Sequence, residues 1–139
     1  MNEYGIVLHA TDTRQASRHM LTNPEAAEFF KGQSAHSDLT TELLASLARL
    51  GAYESAGDGA PFAAPCFITA GTVFCGAAGM CDTYWRLRAS DIAIAMATGA
   101  EAAAVGPEWV RIALFRPSWP RPDLAHWALR AYDYARTGP

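Results

Sequence analysis

Lysine is nearly absent from this chain of 139 residues, since Lys31 stands against ten arginines. The formal net charge is −3, so no positive excess is present to hold a phosphate backbone or an anionic membrane surface. The lysine is not in a P-loop, and the glycines form no G-x-G-x-x-G turn for a dinucleotide. We therefore expect no nucleic-acid partner, no membrane partner and no cofactor.

Cysteine and histidine are also scarce, with three and four residues. The cysteine spacing is C-x8-C-x5-C, which lacks the close pairs of a tetrahedral zinc site, and the histidines are scattered. The sequence therefore predicts no metal site. An odd number of cysteines does not suit a secreted disulfide framework and favours reduced thiols in the cytoplasm.

Long apolar runs are absent too. The most apolar stretch, 66–81, contains three glycines and is too short to cross a bilayer. The first residues lack the basic region and the apolar region of a signal peptide. We expect a cytoplasmic protein.

Alanine is abundant, at 28 of 139 residues. Half of the residues are apolar and 18% are charged, which excludes disorder, and the length suits a single domain over 1–139. Alanine raises the apolar fraction but adds little side chain to bury. We therefore expect a homodimer, in which a second copy completes the burial.

Helix signals fill the N-terminal third, residues 11–51, after a short predicted strand over 4–10. Capping residues and glycine stops delimit three helices. In the third helix, five leucines share one face, which predicts packing against the core. The predicted helices are 13–21 after Asp12, 24–31 between Asn23 and Gly32, and 38–50 before Gly51.

The sheet is expected within residues 66–116, after a loop over 52–65. Residues 66–75 predict one bent strand or a hairpin at Gly71, which Gly76–Gly79 ends. Thr83, Trp85 and Leu87 alternate on one face of a second strand. Residues 91–98 fit a strand or a helix capped by Ser90, and we favour the strand. Residues 109–115 form a further strand between prolines.

A last helix is predicted over 122–136, with its apolar face including Trp127 and Tyr134. His126, Arg130 and Asp133 fall on the opposite face, at the spacing of an ordinary exposed surface. The fold class predicted is α+β: a mainly antiparallel sheet of about four to five strands, with helices packed on one face.

One candidate site is a thiol site. Cys75 and Cys81 flank a turn of small residues whose N–H groups would form an anion hole. Asp82 would orient a histidine such as His9, which would activate the thiol. The alternative is that these cysteines pack as small apolar side chains beside a glycine turn.

The other candidate site is aromatic. Tryptophans and arginines cluster in the last quarter of the chain, a combination found in ligand pockets and at interfaces. The alternative is that the tryptophans belong to the core. The candidate ligand or interface residues are Trp85, Trp109, Trp119, Arg121 and Trp127.

Three functions fit these patterns. The first is a small-molecule-binding or regulatory domain with an aromatic-lined pocket. The second is a small enzyme with a Cys75 or Cys81 nucleophile. The third is an accessory factor that binds another protein through Trp119 and Arg121. Because function does not follow from fold, the site has to decide among them.

Overall fold

The computed structural model describes residues 21–56, 62–115 and 121–138. The predicted strand 4–10 and the first predicted helix, apart from Leu21, lie outside the described residues. The described part contains four helices and six strands. In chain order they are α1 Pro24–Lys31, α2 Ser37–Ser46, β1 Glu54–Ala56, β2 Cys66–Thr69, β3 Thr72–Ala78, β4 Asp82–Arg86, α3 Ala89–Ala97, β5 Glu101–Ala102, β6 Trp109–Ala113 and α4 Leu124–Thr137.

The strands form one sheet in the order β1-β2-β3-β4-β6-β5, and every neighbouring pair is antiparallel. The α+β class is confirmed, with six described strands where four to five were expected. The additional strands are short and lie at the two edges. One of them, β1, lies within the segment 52–65 that was expected to be a loop.

Strands β2 and β3 form a hairpin, one of the two arrangements expected there. Its two turn residues, Ala70 and Gly71, have φ of 51° and 74°, which suits the right-handed twist of the flanking strands. The expected end of the strand at Gly76 is wrong, because β3 continues to Ala78. Gly76 serves close packing: a Cβ there would lie 2.5 Å from Phe30 Cζ and 2.8 Å from the Pro65 oxygen.

Strand β4 confirms a strand within the predicted residues 83–88, but it ends at Arg86, and Tyr84 on the opposite face is buried as well. Thr83, Trp85 and Leu87 are fully buried. The Trp85 indole donates to Thr83 Oγ1 at 2.9 Å, and that hydroxyl donates to the Ile112 oxygen at 2.7 Å. The buried polar groups of this face therefore satisfy one another.

Helix α1 begins and ends as predicted, but α2 ends early. Its expected end near Leu50 is wrong, because the chain after Ser46 tightens into i→i−3 hydrogen bonds such as Leu47 N to the Leu44 oxygen. Leu39, Leu43 and Leu47 are still fully buried, whereas Leu44 is 44% exposed. The predicted leucine face is thus confirmed at Leu39, Leu43 and Leu47 and wrong at Leu44.

The strand favoured for residues 91–98 is wrong, since α3 occupies Ala89–Ala97. Four of its nine residues are alanine, the strongest helix former, and this propensity outweighs the apparent alternation. Asp91 and Ala95 share the buried face at i,i+4 spacing, while Ile94 and Met96 are exposed. The N-cap is Arg88, two residues before Ser90, which was the expected cap of a helix here.

Helix α4 confirms the predicted last helix, beginning at Leu124 after the N-cap Asp123. The Asp123 carboxylate accepts from His126 N. Its buried face comprises Leu124, Trp127, Ala128, Ala131 and Tyr134. None of the helices within the described residues is long and apolar enough to cross a membrane.

Strand β3 is buried along its whole length, which requires cover on both faces of the sheet. The Phe30 ring of α1 covers one face, where its centroid lies 5.6 Å from that of Tyr84. Helices α2 and α4 contact β3, β4 and each other, and supply the remaining cover. Tyr132 of α4 packs edge-on against Phe74 of β3.

We predict that Gly76→Ala lowers the free energy of unfolding by about 1–3 kcal/mol, because the added methyl group meets Phe30 and backbone at once. Urea unfolding followed by circular dichroism measures the change. The matched control is Gly32→Ala, since a Cβ there meets nothing within 4 Å. Equal losses from the two substitutions would contradict the packing role of Gly76.

Candidate functional site

The candidate thiol Cys75 is fully buried on β3. Burial raises its pKa well above the ordinary value, and the nearby Cys66 raises it further. Burial also raises the pKa of Cys66 to about 12. Because the thiolate is the nucleophilic form and needs access to a substrate, both positions favour packing over catalysis.

The other candidate thiol, Cys81, is partly exposed in the turn between β3 and β4. Its Sγ lies 3.8 Å from Asp82 Oδ1, so these two candidate residues are in contact. The expected anion hole at Gly76–Gly79 is absent, because β3 includes the first three of its residues. The N–H groups of Ala77 and Gly79 already donate to the oxygens of Pro65 and Ser34.

The histidine partner of the thiol site is not identified among the described residues. His9 lies outside them. Both described histidines have other contacts: His36 Nδ1 accepts from Asp38 N at the start of α2, and the His126 ring packs against Trp127 at 4.7 Å. No three His, Cys, Asp or Glu side chains in the described ranges are placed to hold a metal ion.

The predicted aromatic residues divide between core and surface groove. Trp85 and Trp109 are buried in the core, and Trp109 packs against Phe30. Trp119 lies outside the described residues. Trp127 and Arg121 both line one groove, which brings together two of the residues that the sequence nominated for ligand binding.

This groove, called the α3–α4 groove below, has a volume of about 830 Å³. It lies between the C-terminal half of α3, the end of β6 and the start of α4. Most of its lining is apolar, with a few polar side chains near Arg121. The lining residues are Ile94, Ala97, Thr98, Gly99, Ala100, Ile112, Ala113, Arg121, Pro122, Asp123, His126 and Trp127.

The polar groups of the groove are engaged by neighbours. Thr98 Oγ1 donates to the Ala95 oxygen at 2.8 Å, and Asp123 Oδ1 accepts from His126 N at 3.2 Å. The Arg121 guanidinium pairs with Glu42 of α2. The groove therefore presents an apolar surface with one cation and one anion at its rim.

Further along the same two helices, beyond the groove lining, side chains join α3 and α4. Arg130 donates to Asp91 Oδ1 from Nη2 at 2.8 Å and from Nε at 3.2 Å. Arg88 donates to Asp133 Oδ2 at 2.9 Å. We call these four residues the polar clamp. The sequence placed Arg130 and Asp133 on one helix face, but nothing in it indicated their partners, which lie 39 and 45 residues away.

Asp91 is the unusual member of the polar clamp. It is only 2% exposed, and its Oδ2 has no hydrogen-bond partner within the described part of the chain. The Arg130 side chain is 49% exposed, and its hydrogen bond to Asp91 raises the pKa of the guanidinium. A solvated cation thus neutralises a buried carboxylate, and removing that cation would leave an uncompensated buried charge.

Comparison with protein-family models, curated proteins and solved structures gives no match to this chain. The chemistry of the site therefore has to be argued from its own residues.

We predict that iodoacetamide at pH 8 labels one thiol of the native protein, Cys81. Burial keeps Cys66 and Cys75 protonated at this pH and inaccessible. Mass spectrometry of the intact protein and of its peptides counts and locates the adducts. Labelling in 6 M guanidinium is the control and should give three adducts. Labelling of Cys75 in the native state would contradict the packing role.

We also predict that Arg130→Gln destabilises the protein more than the double variant Asp91→Asn/Arg130→Gln. The single change leaves the buried carboxylate unpaired, whereas the double change removes both charges. Urea midpoints of the wild type, both single variants and the double variant complete the cycle. If the two losses from Arg130→Gln and from the double variant are equal, Asp91 does not depend on Arg130 for its burial.

Proposed function

We propose that this chain is a binding protein for a small, predominantly apolar molecule, which it holds in the α3–α4 groove. The observation that carries the proposal is the groove itself: a volume of about 830 Å³ with a mostly apolar lining. Pockets for small ligands have volumes of roughly 300–1,000 Å³ and combine apolar walls with a few polar groups. The groove has the size and the composition of such a site.

The lining also supports a class of ligand. Trp127 offers an aromatic surface beside the apolar side chains of Ile94 and Ile112. Arg121 and Asp123 carry opposite charges. Arg121 already pairs with Glu42, and the Asp123 carboxylate already accepts from His126 N. Among the described lining residues, Arg121 and Asp123 supply one charge of each sign. An uncharged, partly aromatic molecule therefore suits the groove better than an anion or a cation.

The enzyme hypothesis has less support. Cys75 is buried and the turn residues expected to hold an anion belong to β3. Cys81 remains the candidate thiol for it. The protein-binding hypothesis rests on Trp119, which lies outside the described residues, and on Arg121, which lines the groove.

The cytoplasmic homodimer stays part of the proposal as an expectation. Met96 on α3 is 45% exposed and does not line the groove, and a second copy would bury it. The size of the particle in sedimentation equilibrium tests the dimer independently of ligand binding.

We predict that Ala97→Trp lowers the affinity for N-phenyl-1-naphthylamine, an uncharged aromatic probe whose fluorescence rises in apolar surroundings. The new indole would occupy the groove beside Trp127. We expect Kd to rise by at least about ten-fold, the equivalent of roughly 1.4 kcal/mol. Fluorescence titration measures Kd, and native mass spectrometry counts the bound probe.

The matched control is Ala93→Trp. Ala93 is an exposed alanine one turn earlier on α3 and does not line the groove. We expect the control to keep the affinity of the wild type. A wild type that does not bind the probe, or equal losses from both variants, would overturn the groove as the binding site.

A further inference from the structure

We propose that the Asp91–Arg130 ion pair is a positioning element for the α3–α4 groove: it fixes the distance between the two helices that form its walls. The inference deepens the proposed function and rests on it. No member of the polar clamp is among the described lining residues of the groove, so these residues would act through the helices and not through direct contact with a ligand.

The contacts place the two helices in opposite directions along each other. Arg88, which precedes α3, reaches Asp133 and Thr137 in the last half of α4. Asp91, one turn into α3, reaches Arg130 near the middle of α4. The C-terminal half of α3 then faces the first turn of α4, and the groove occupies the space between them. The helices are therefore tied at one end and separated at the other.

Of the two contacts between the helices, the Asp91–Arg130 ion pair lies nearer the groove, and its carboxylate is buried. Asp91 lies three residues before Ile94 on α3, and Arg130 lies three residues after Trp127 on α4, so each is one helical turn from the lining. The forked Arg130 guanidinium donates twice to a single oxygen of a buried carboxylate. This geometry restricts both the separation and the rotation of the helices.

The outer wall of the groove is the C-terminal half of α3. Helix α3 packs on β6, whereas its C-terminal turn ends in hydrogen bonds from Thr98 N, Gly99 N and Ala100 N to oxygens of its own helix. Ile94 and Met96 point away from the core. Without the ion pair, α3 would keep the Arg88–Asp133 contact at its start but lose the tie one turn from the groove, and the width of the groove would no longer be fixed.

The test uses the full chain with the double variant Asp91→Asn/Arg130→Gln, which leaves no unpaired buried charge and is expected to fold. Substitutions that touch no ligand alter coupling by about 0.5–2 kcal/mol, so we expect Kd for N-phenyl-1-naphthylamine to rise about two- to thirty-fold. Hydrogen exchange of the Thr98, Gly99 and Ala100 amides should become faster. Arg130→Lys, which keeps the cation but not the forked pair of donors, should give a Kd between those of the wild type and the double variant.

Gly76→Ala is the matched control, because it destabilises the sheet at Phe30 and leaves the ion pair intact. It should keep the probe affinity of the wild type. Unchanged Kd in the double variant, or an equal loss in Gly76→Ala, would overturn the positioning role. The two proposals separate through hydrogen exchange. Faster exchange without probe binding in the wild type would overturn the binding function alone, and unchanged exchange would overturn the tie between the helices.

Discussion

Strand β3 has no side that faces solvent, and most of the architecture follows from the need to cover it. On one face the cover comes from Phe30, which approaches so closely that residue 76 has to be glycine. Helices α2 and α4 pack against β3 and against each other. A chain rich in alanine suits this arrangement, because Ala128 and Ala131 let α4 lie close to its neighbours and are themselves fully buried.

The candidate site follows from the small side chains of this chain. Helix α3 packs on β6, near the far edge of the sheet from β1, and small residues line the space between it and the start of α4. Ala97, Gly99 and Ala100 cannot fill that space. Bulky residues in the same places would have joined the two helices into one layer. The groove thus arises where the chain places its smallest side chains, and the polar clamp keeps the helices together beside it.

The sequence predicted those parts of the fold whose signals are local. Thr83, Trp85 and Leu87 share one face, Gly71 fits a turn, and α4 has an apolar face with Gly138 after it. The prediction from the sequence failed where two local signals compete. In residues 91–98 the alternation of Ile94 and Met96 with alanine imitates a strand, whereas the helix propensity of alanine and a cap at Ser90 argued for a helix. Gly76 carried the signal of a turn, whereas its cause is a phenylalanine 46 positions earlier. The clustering of tryptophan and arginine nominated Arg121 and Trp127, which line one groove, but the Asp91–Arg130 pair joins segments whose proximity no pattern in the sequence reveals.

Asn23 joins two parts of the chain that the ribosome synthesises at different times. Its amide donates to the Val73 oxygen and accepts from the Val73 N–H, so it joins the start of α1 to β3 across fifty residues. A ribosome releases α1 well before it releases β3, and contacts between distant residues form only after the intervening chain is closed into a loop. During synthesis, α1 therefore cannot make its contacts with β3 until the β2–β3 hairpin has emerged. The Phe30 ring meets Tyr84 and Trp109 later still, after β4 and β6 have been synthesised.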